Sequence, residues 1–335
     1  MHITQDKTDI AAFIHAHITR LFAHEDSAGP QKIMDVIEVL AGFFVESCFL
    51  FEKPDLSLSS GFRKLEKMLR SKPYRGVLPE WALPDASKLD ARSEQGRALA
   101  RFVLDEWKEC EFSYMEFVVW LIQNHICAWE GEDIPREETL RFFVEAATRC
   151  MAYEIAAQEL CDLVIEKRIG TGQWSLADSV CGLSGFAGYC YARNIRDQQI
   201  EDKNFAGTFF ESESIVNVMT QEAARMGVPA GSDWRLGMVA NDSPADPPIE
   251  LIESIEPICL EFFNVLSLER PSERAVVCAK AAGRMLAVVA SGDTPDMPHA
   301  IAKPLAMAAL IESYRGLEAL QPYLKEAYLS QDNPV

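Results

Sequence analysis

An all-α fold, a multi-helix bundle of roughly ten to twelve helices, is predicted by three observations. Apolar residues recur at helical spacing between well-marked starts and stops. No stretch alternates at strand period with a hairpin signal beside it. One long segment, 133–170, is bounded at both ends and apolar over more than half its circumference.

That segment is the expected central helix. Asp133 can cap the first amides, Pro135 suits the first turn, and Glu137 and Glu138 place negative charge where the helix dipole is positive. Lys167 and Arg168 fall in the last turn, and Gly170 is expected in the left-handed terminating position. Leu140, Val144, Ala147, Met151 and Ile155 form one apolar line, widened by Phe143, Ala146, Cys150, Tyr153, Ala157 and Cys161. Glu154 and Gln158 interrupt this arc. A buried carboxylate needs a cation or hydrogen-bond donors, or it takes up a proton. Glu154 is therefore a candidate site residue, as an ion-pair partner, a metal ligand or an acid/base group.

From the N-terminus, residues 8–25 read as an amphipathic helix with Ile10, Phe13, Ile14, Ile18 and Leu21 on one side. His15 lies on another face, and His17 and His24 share one. Residues 30–52 start with Pro30 and carry only Glu46 as a charge from Val39 to Phe51, so this helix belongs in the core. Glu46, at the border of its apolar arc, is a second candidate for an enclosed carboxylate.

Residues 59–75 carry a basic stripe, Arg63, Lys67 and Arg70, at helical spacing in an otherwise acidic chain. It is expected to dock on the protein's own acidic helices, or else to receive a phosphate or an acidic partner. Residues 72–87 hold three prolines and form a loop, after which a helix runs from about Ser87 to Glu109. Residues 112–129 are apolar nearly all round, and His125 is the histidine expected to be buried there. Should His125 meet Glu154, the pair has the composition of an acid/base dyad or of part of a metal shell.

Ser175 and Asp178 make a capping box for the next helix, in which Gly182, Gly185 and Gly188 recur at three-residue spacing. Glycine costs about 1 kcal/mol inside a helix. Three in line therefore predict close approach by another backbone, the favoured reading, or else by a ligand. A helix over 208–226 precedes a Pro/Gly-rich connection at 227–248. Asp246 and Pro247 start another helix, which Pro257 is expected to break, and the last helices occupy 272–290 and 298–329. The expected division is a main bundle over 1–226, the connection 227–248, and a C-terminal helical subdomain over 249–335 packed on the first.

The chain has 335 residues, 48% of them hydrophobic, which is enough to bury a sizeable core. Its net charge of −19 argues against free nucleic acid and anionic membranes as partners. Six acidic residues and no lysine or arginine lie between Asp246 and Glu269. Nine cysteines, an odd number without a CxxC pair, read as free thiols of a reducing compartment. The N-terminus lacks the features of a signal peptide, and no apolar run approaches the ~18 residues of a membrane span, so the chain reads as cytoplasmic.

The sequence carries no DDxxD-like cluster, no repeated Glu-x-x-His on core helices, no P-loop and no GxSxG elbow. The expected function is a regulatory or scaffold module that binds a protein partner. The alternative is a helical enzyme or ligand-binding protein, metal- or cofactor-dependent, centred on Glu154, His125 and Glu46. No particular cofactor is indicated.

Overall fold

The computed structural model describes residues 7–21, 30–51, 86–107, 111–128, 136–197, 215–229, 245–266, 268–290 and 297–316. Among them are ten α-helices and no strand. The fold is all-α and multi-helical. It divides into two compact units, Met1–Ala152 and Tyr153–Val335. The connection expected at 227–248 lies for the most part outside the described residues, and the basic stripe Arg63, Lys67 and Arg70 lies wholly outside them.

The first unit contains α1 (Lys7–Leu21), α2 (Pro30–Phe51), α3 (Ala86–Glu106), α4 (Glu111–Ala128) and the first part of α5 (Arg136–Val164). Its tightest pair is α2 with α3, and two glycines explain why. A Cβ on Gly42 would overlap the Ser93 backbone, and one on Gly96 would overlap the Val39 carbonyl. With hydrogen in both places, the two backbones can touch. The crossing encloses polar groups on both helices. Arg92 reaches Asp35 and also Glu38 at 3.2 Å, while Arg97 reaches Asp90 at 3.2 Å. From α4, Tyr114 places its hydroxyl 3.2 Å from Ser47 Oγ and donates to the Ala100 carbonyl at 3.3 Å. Burial pushes the Tyr114 hydroxyl well above its ordinary pKa, so it remains a donor.

The second unit contains the rest of α5, a π-helical turn at Ile165–Ile169, α6 (Leu176–Asp197), α7 (Ile215–Arg225), α8 (Pro248–Val265), α9 (Pro271–Ala290) and α10 (His299–Arg315). Its hub is α6, which packs on α8, α9 and α10. The glycine stripe makes this possible, as its spacing predicts. Gly188 faces the Leu310 carbonyl closely enough that a Cβ would clash, Gly185 lies against Ser313 and Ile252, and Gly182 lies under the Trp174 ring. The Ser175–Asp178 capping box forms, with the Ser175 amide donating to Asp178 Oδ2 at 2.8 Å and the Asp178 amide to Ser175 Oγ at 3.1 Å. Asp178 Oδ1 also accepts the Asp246 amide at 2.9 Å, just before α8.

Two local expectations are corrected. Gly170 is right-handed, with φ −61°, and the positive φ falls two residues on, at Gly172 (φ 71°). The chain first widens into the π turn, closed by the Gly170 amide on the Ile165 carbonyl at 2.8 Å. A Schellman motif then ends it, with bonds from Gln173 to Arg168 at 3.0 Å and from Gly172 to Ile169 at 2.9 Å. Pro257, expected to break the helix that starts near Pro247, sits inside a continuous α8. One lost amide donor and a local ring clash are tolerated because both flanks are anchored by Leu251, Ile252, Ile255, Cys259, Leu260 and Phe263, all buried.

On α5 the most enclosed line runs through Phe143, Ala146, Cys150, Tyr153, Glu154, Ala157 and Cys161. Leu140, Val144 and Ile155, expected at its centre, lie half-buried at its edge. The buried line has therefore rotated toward the aromatic side of the arc, where Phe143 packs edge-on against Phe44 with ring centroids 5.9 Å apart.

Candidate functional site

Glu154 is buried, at 4% exposure, and three cations meet its carboxylate. Lys280 Nζ lies 2.7 Å from Oε1, and Arg284 Nη2 and Arg225 Nη2 each lie 2.6 Å from Oε2. A second buried acid, Glu222, shares the same cations. Arg284 Nε and Arg225 Nη2 are each 2.6 Å from its Oε1, Arg225 Nε donates to Oε2 at 2.9 Å, and Lys280 is 3.5 Å away. Arg284 Nη1 also donates to Gln158 Oε1 at 3.0 Å. Gln158 is exposed, so it marks the rim of the cluster and is not a core residue.

Three helices build this cluster. Glu154 comes from α5, Glu222 and Arg225 from α7, and Lys280 and Arg284 from α9. Lys280 and Arg284 stand one turn apart and therefore share a face. Gly283 beside them lets α7 settle on α9, since a Cβ there would meet the Met219 carbonyl at 2.7 Å and Glu222 Cβ at 2.9 Å. The hydrogen at position 283 sets the spacing that the ion pairs need.

The electrostatics follow from these distances. Burial disfavours the Glu222 carboxylate, but Lys280, then Arg225 and Arg284, outweigh it and hold the carboxyl well below its ordinary range. It stays ionised at neutral pH. Both oxygens of each acid accept charge-assisted bonds, the strong kind of hydrogen bond. A carboxylate held so firmly in its charged form is a poor proton acceptor and a good structural tie.

The other two candidates belong to the first unit. Glu46 is buried and accepts from Arg101 Nε at 2.7 Å, while Arg101 Nη2 also reaches Glu94 at 3.2 Å. His125 is buried on α4, its ring stacked on that of His15 from α1 with centroids 5.4 Å apart. Burial, and secondarily the neighbouring His15, push its pKa down to about 4. The imidazole is thus neutral at physiological pH. Glu154, in the second unit, is ordered by its own set of cations. Among the described residues, no group of three or more His, Cys, Asp or Glu side chains is placed to hold a metal ion.

Sequence reasoning that stopped at Glu154 missed Glu222, Arg225, Lys280 and Arg284. A signal for two of them was present. In the run from Ala275 to Ala290, Lys280 and Arg284 are the only charges, one turn apart in an otherwise apolar helix. Two cations so placed must point inward and require acids opposite them.

This geometry defines an all-α protein with a buried ion-pair network of two carboxylates and three cations. No protein-family model, curated protein or solved structure matches the chain.

Proposed function

We propose that the chain is a regulatory or scaffold protein that binds a protein partner through its acidic surface, in the cytoplasm. The observation that carries this reading is the outer face of α8. Glu250, Glu253 and Glu261 are exposed there, flanked by exposed Asp246 and Glu269, and no lysine or arginine occurs between positions 246 and 269. Val265, 78% exposed at the end of the same helix, adds an apolar contact beside the charges. Such a face suits a partner segment that presents lysine or arginine with an apolar residue nearby. The same charge disfavours free nucleic acid and anionic membranes, and among the described residues no helix is long and apolar enough to cross a membrane. Seven described cysteines are free and buried, in keeping with a reducing compartment. The basic stripe Arg63, Lys67 and Arg70 belongs to the same reading as a surface for acidic groups.

The test is affinity capture from native extract with wild-type protein and with the Glu250→Gln, Glu253→Gln, Glu261→Gln triple variant. The reading expects a stoichiometric partner that elutes with salt and is lost in the variant. A partner-free wild type, or a partner kept by a folded variant, contradicts it.

The second reading, an enzyme or ligand-binding protein centred on Glu154, His125 and Glu46, draws on the burial of all three. Against it stand the cations that occupy Glu154 and Glu46 and the weak basicity of His125. Elemental analysis and an absorbance spectrum of the purified protein decide it. A stoichiometric metal or a chromophore favours the enzyme or ligand-binding reading.

A further inference from the structure

Between α5 and α6 the chain is exposed from Gly170 to Gln173, and Thr171 stands there between two glycines, just past the π turn. Its Oγ1 donates to the Lys167 carbonyl at 3.0 Å and to the Arg168 carbonyl at 3.1 Å. The hydroxyl therefore lies over the two basic residues that stand four and three positions before it. Lys167 is exposed, with its ammonium 3.7 Å from Glu166. Arg168 is fastened to neutral groups. Its Nη1 donates to Gln173 Oε1 at 2.6 Å, its Nη2 donates to the Ser254 carbonyl on α8, and its guanidinium lies 5.6 Å from the centre of the Trp174 ring. One arginine thus ties the end of α5 to the middle of α8.

We propose that Thr171 is a phosphoacceptor for a protein kinase that reads basic residues ahead of the hydroxyl, and that its phosphate draws Arg168 off Ser254 and unties α5 from α8. The donor is ATP with magnesium, supplied with the kinase. Thr171 Oγ1 attacks the γ-phosphorus and forms the new O–P bond. The bond from that phosphorus to the oxygen bridging to the β-phosphate breaks, ADP leaves with its electron pair, and the hydroxyl proton passes to the base of the kinase. The product has lost the O–H that donates to the Lys167 and Arg168 carbonyls and carries nearly two negative charges in its place.

Position singles out this hydroxyl. Thr19 and Thr148 are also exposed and also donate to the carbonyl one turn back, but they sit inside α1 and α5, with Ala16 and Glu145 three positions before them. A kinase cleft takes its acceptor segment extended, which a residue within a helix reaches only by unwinding its neighbours. Thr171 lies beyond the last turn and beside Gly172, whose φ of 71° already carries the chain away from the helix. Lys167 and Arg168 then supply the positive charge that an acidic substrate groove receives. After transfer, a phosphate at the end of α5 faces the negative pole of the helix dipole, which loosens the stop. Arg168 exchanges two neutral oxygens for an anion that it can hold bidentately, the stronger pairing, so the exchange runs toward the phosphate.

The experiment incubates the full chain with magnesium ATP and a purified serine/threonine kinase that requires arginine three residues before its acceptor, then maps phosphopeptides by mass spectrometry and follows hydrogen exchange. Phosphate is expected on Thr171 and not on Thr19 or Thr148. In the phosphorylated protein the α8 amides around Ser254 are expected to exchange about tenfold faster, as the loss of one hydrogen bond from a charged donor implies. Unphosphorylated Arg168→Gln should show the same change at α8. Thr171→Val, which removes the hydroxyl without adding charge, should leave α8 as in wild type. A Thr171 that stays unmodified overturns the proposal, and so does a phosphorylated Thr171 with unchanged exchange around Ser254. The decisive measurement uses wild-type protein, so a poorly folding variant does not blur it.

Discussion

Glu154 and Arg284 are 130 positions apart in the chain, and their side chains meet at 2.6 Å inside the second unit. Arg284 turns its remaining donors to Glu222 and Gln158, so one guanidinium ties α9 to both α7 and α5. Enclosing such groups is expensive, and removing one partner strands the others in a medium that solvates them poorly.

Arg284→Met tests that dependence. It leaves Glu154 and Glu222 with fewer cations and is expected to destabilise the protein by about 3–5 kcal/mol. Combining it with Glu222→Gln, which removes an acid as well, should give less than the sum of the two single losses. Urea unfolding of the four proteins provides the cycle, and strict additivity would refute the coupling.

The glycines divide by mechanism. Gly188 lies against the Leu310 backbone and Gly283 against Met219, where a Cβ has no room, whereas Gly172 has open space but φ 71°. Gly188→Ala and Gly283→Ala are expected to force helices apart, costing roughly 1–3 kcal/mol each. Gly172→Ala should cost about 1–2 kcal/mol from backbone strain alone, and Gly172→Asn distinctly less, because asparagine tolerates the left-handed region. Thermal melts of the four variants check this order.

Acid should weaken the fold in two steps. His125 has its folded pKa depressed to about 4 from an ordinary 6.5, so the unfolded chain binds the proton more readily. Its contribution is whole above pH 6.5 and is lost as pH falls toward 4, at most about 3 kcal/mol. Glu222, whose folded pKa is also depressed, contributes fully above the ordinary 4.5 and loses that contribution as pH falls further. A stability-against-pH curve should therefore slope between pH 6.5 and 4, and His125→Gln should flatten that leg while leaving the steeper acid limb.

Asp178 joins two helix starts, accepting from Ser175 at the start of α6 and from the Asp246 amide just before α8. Asp178→Ala is expected to cost about 1–2 kcal/mol, at the high end for a cap because a second amide loses its acceptor. Hydrogen exchange should show faster exchange at the amides of both helix starts. Exchange unchanged at Asp246 would refute the bridging role.

Much of the fold was legible because its signals are local. Helices, the Ser175–Asp178 box and the glycine stripe are written within a few residues of one another, and the structure forms them where the spacing places them. Gly170 departs from the expected left-handed stop because a π turn shifts the terminating position by two residues, and nothing in IEKRIGTG separates that from an ordinary stop. Pro257 does not break its helix because tertiary burial on both sides overrides a single lost hydrogen bond. The candidate site was half legible. The burial of Glu154 follows from helical period, but its partners lie 71 and 130 positions away on other helices, and no local pattern states which helices meet.

The most direct test is Glu154→Gln, followed by urea unfolding at pH 7. The exchange keeps the size of the side chain and removes its charge, leaving Lys280, Arg225 and Arg284 with Glu222 as their only acid in the described cluster. The account predicts a midpoint shifted to lower urea with unchanged slope, a loss of about 3 kcal/mol or more. An unfolding free energy within about 0.5 kcal/mol of wild type would contradict it, because a carboxyl so easily spared was not carrying charge among those cations.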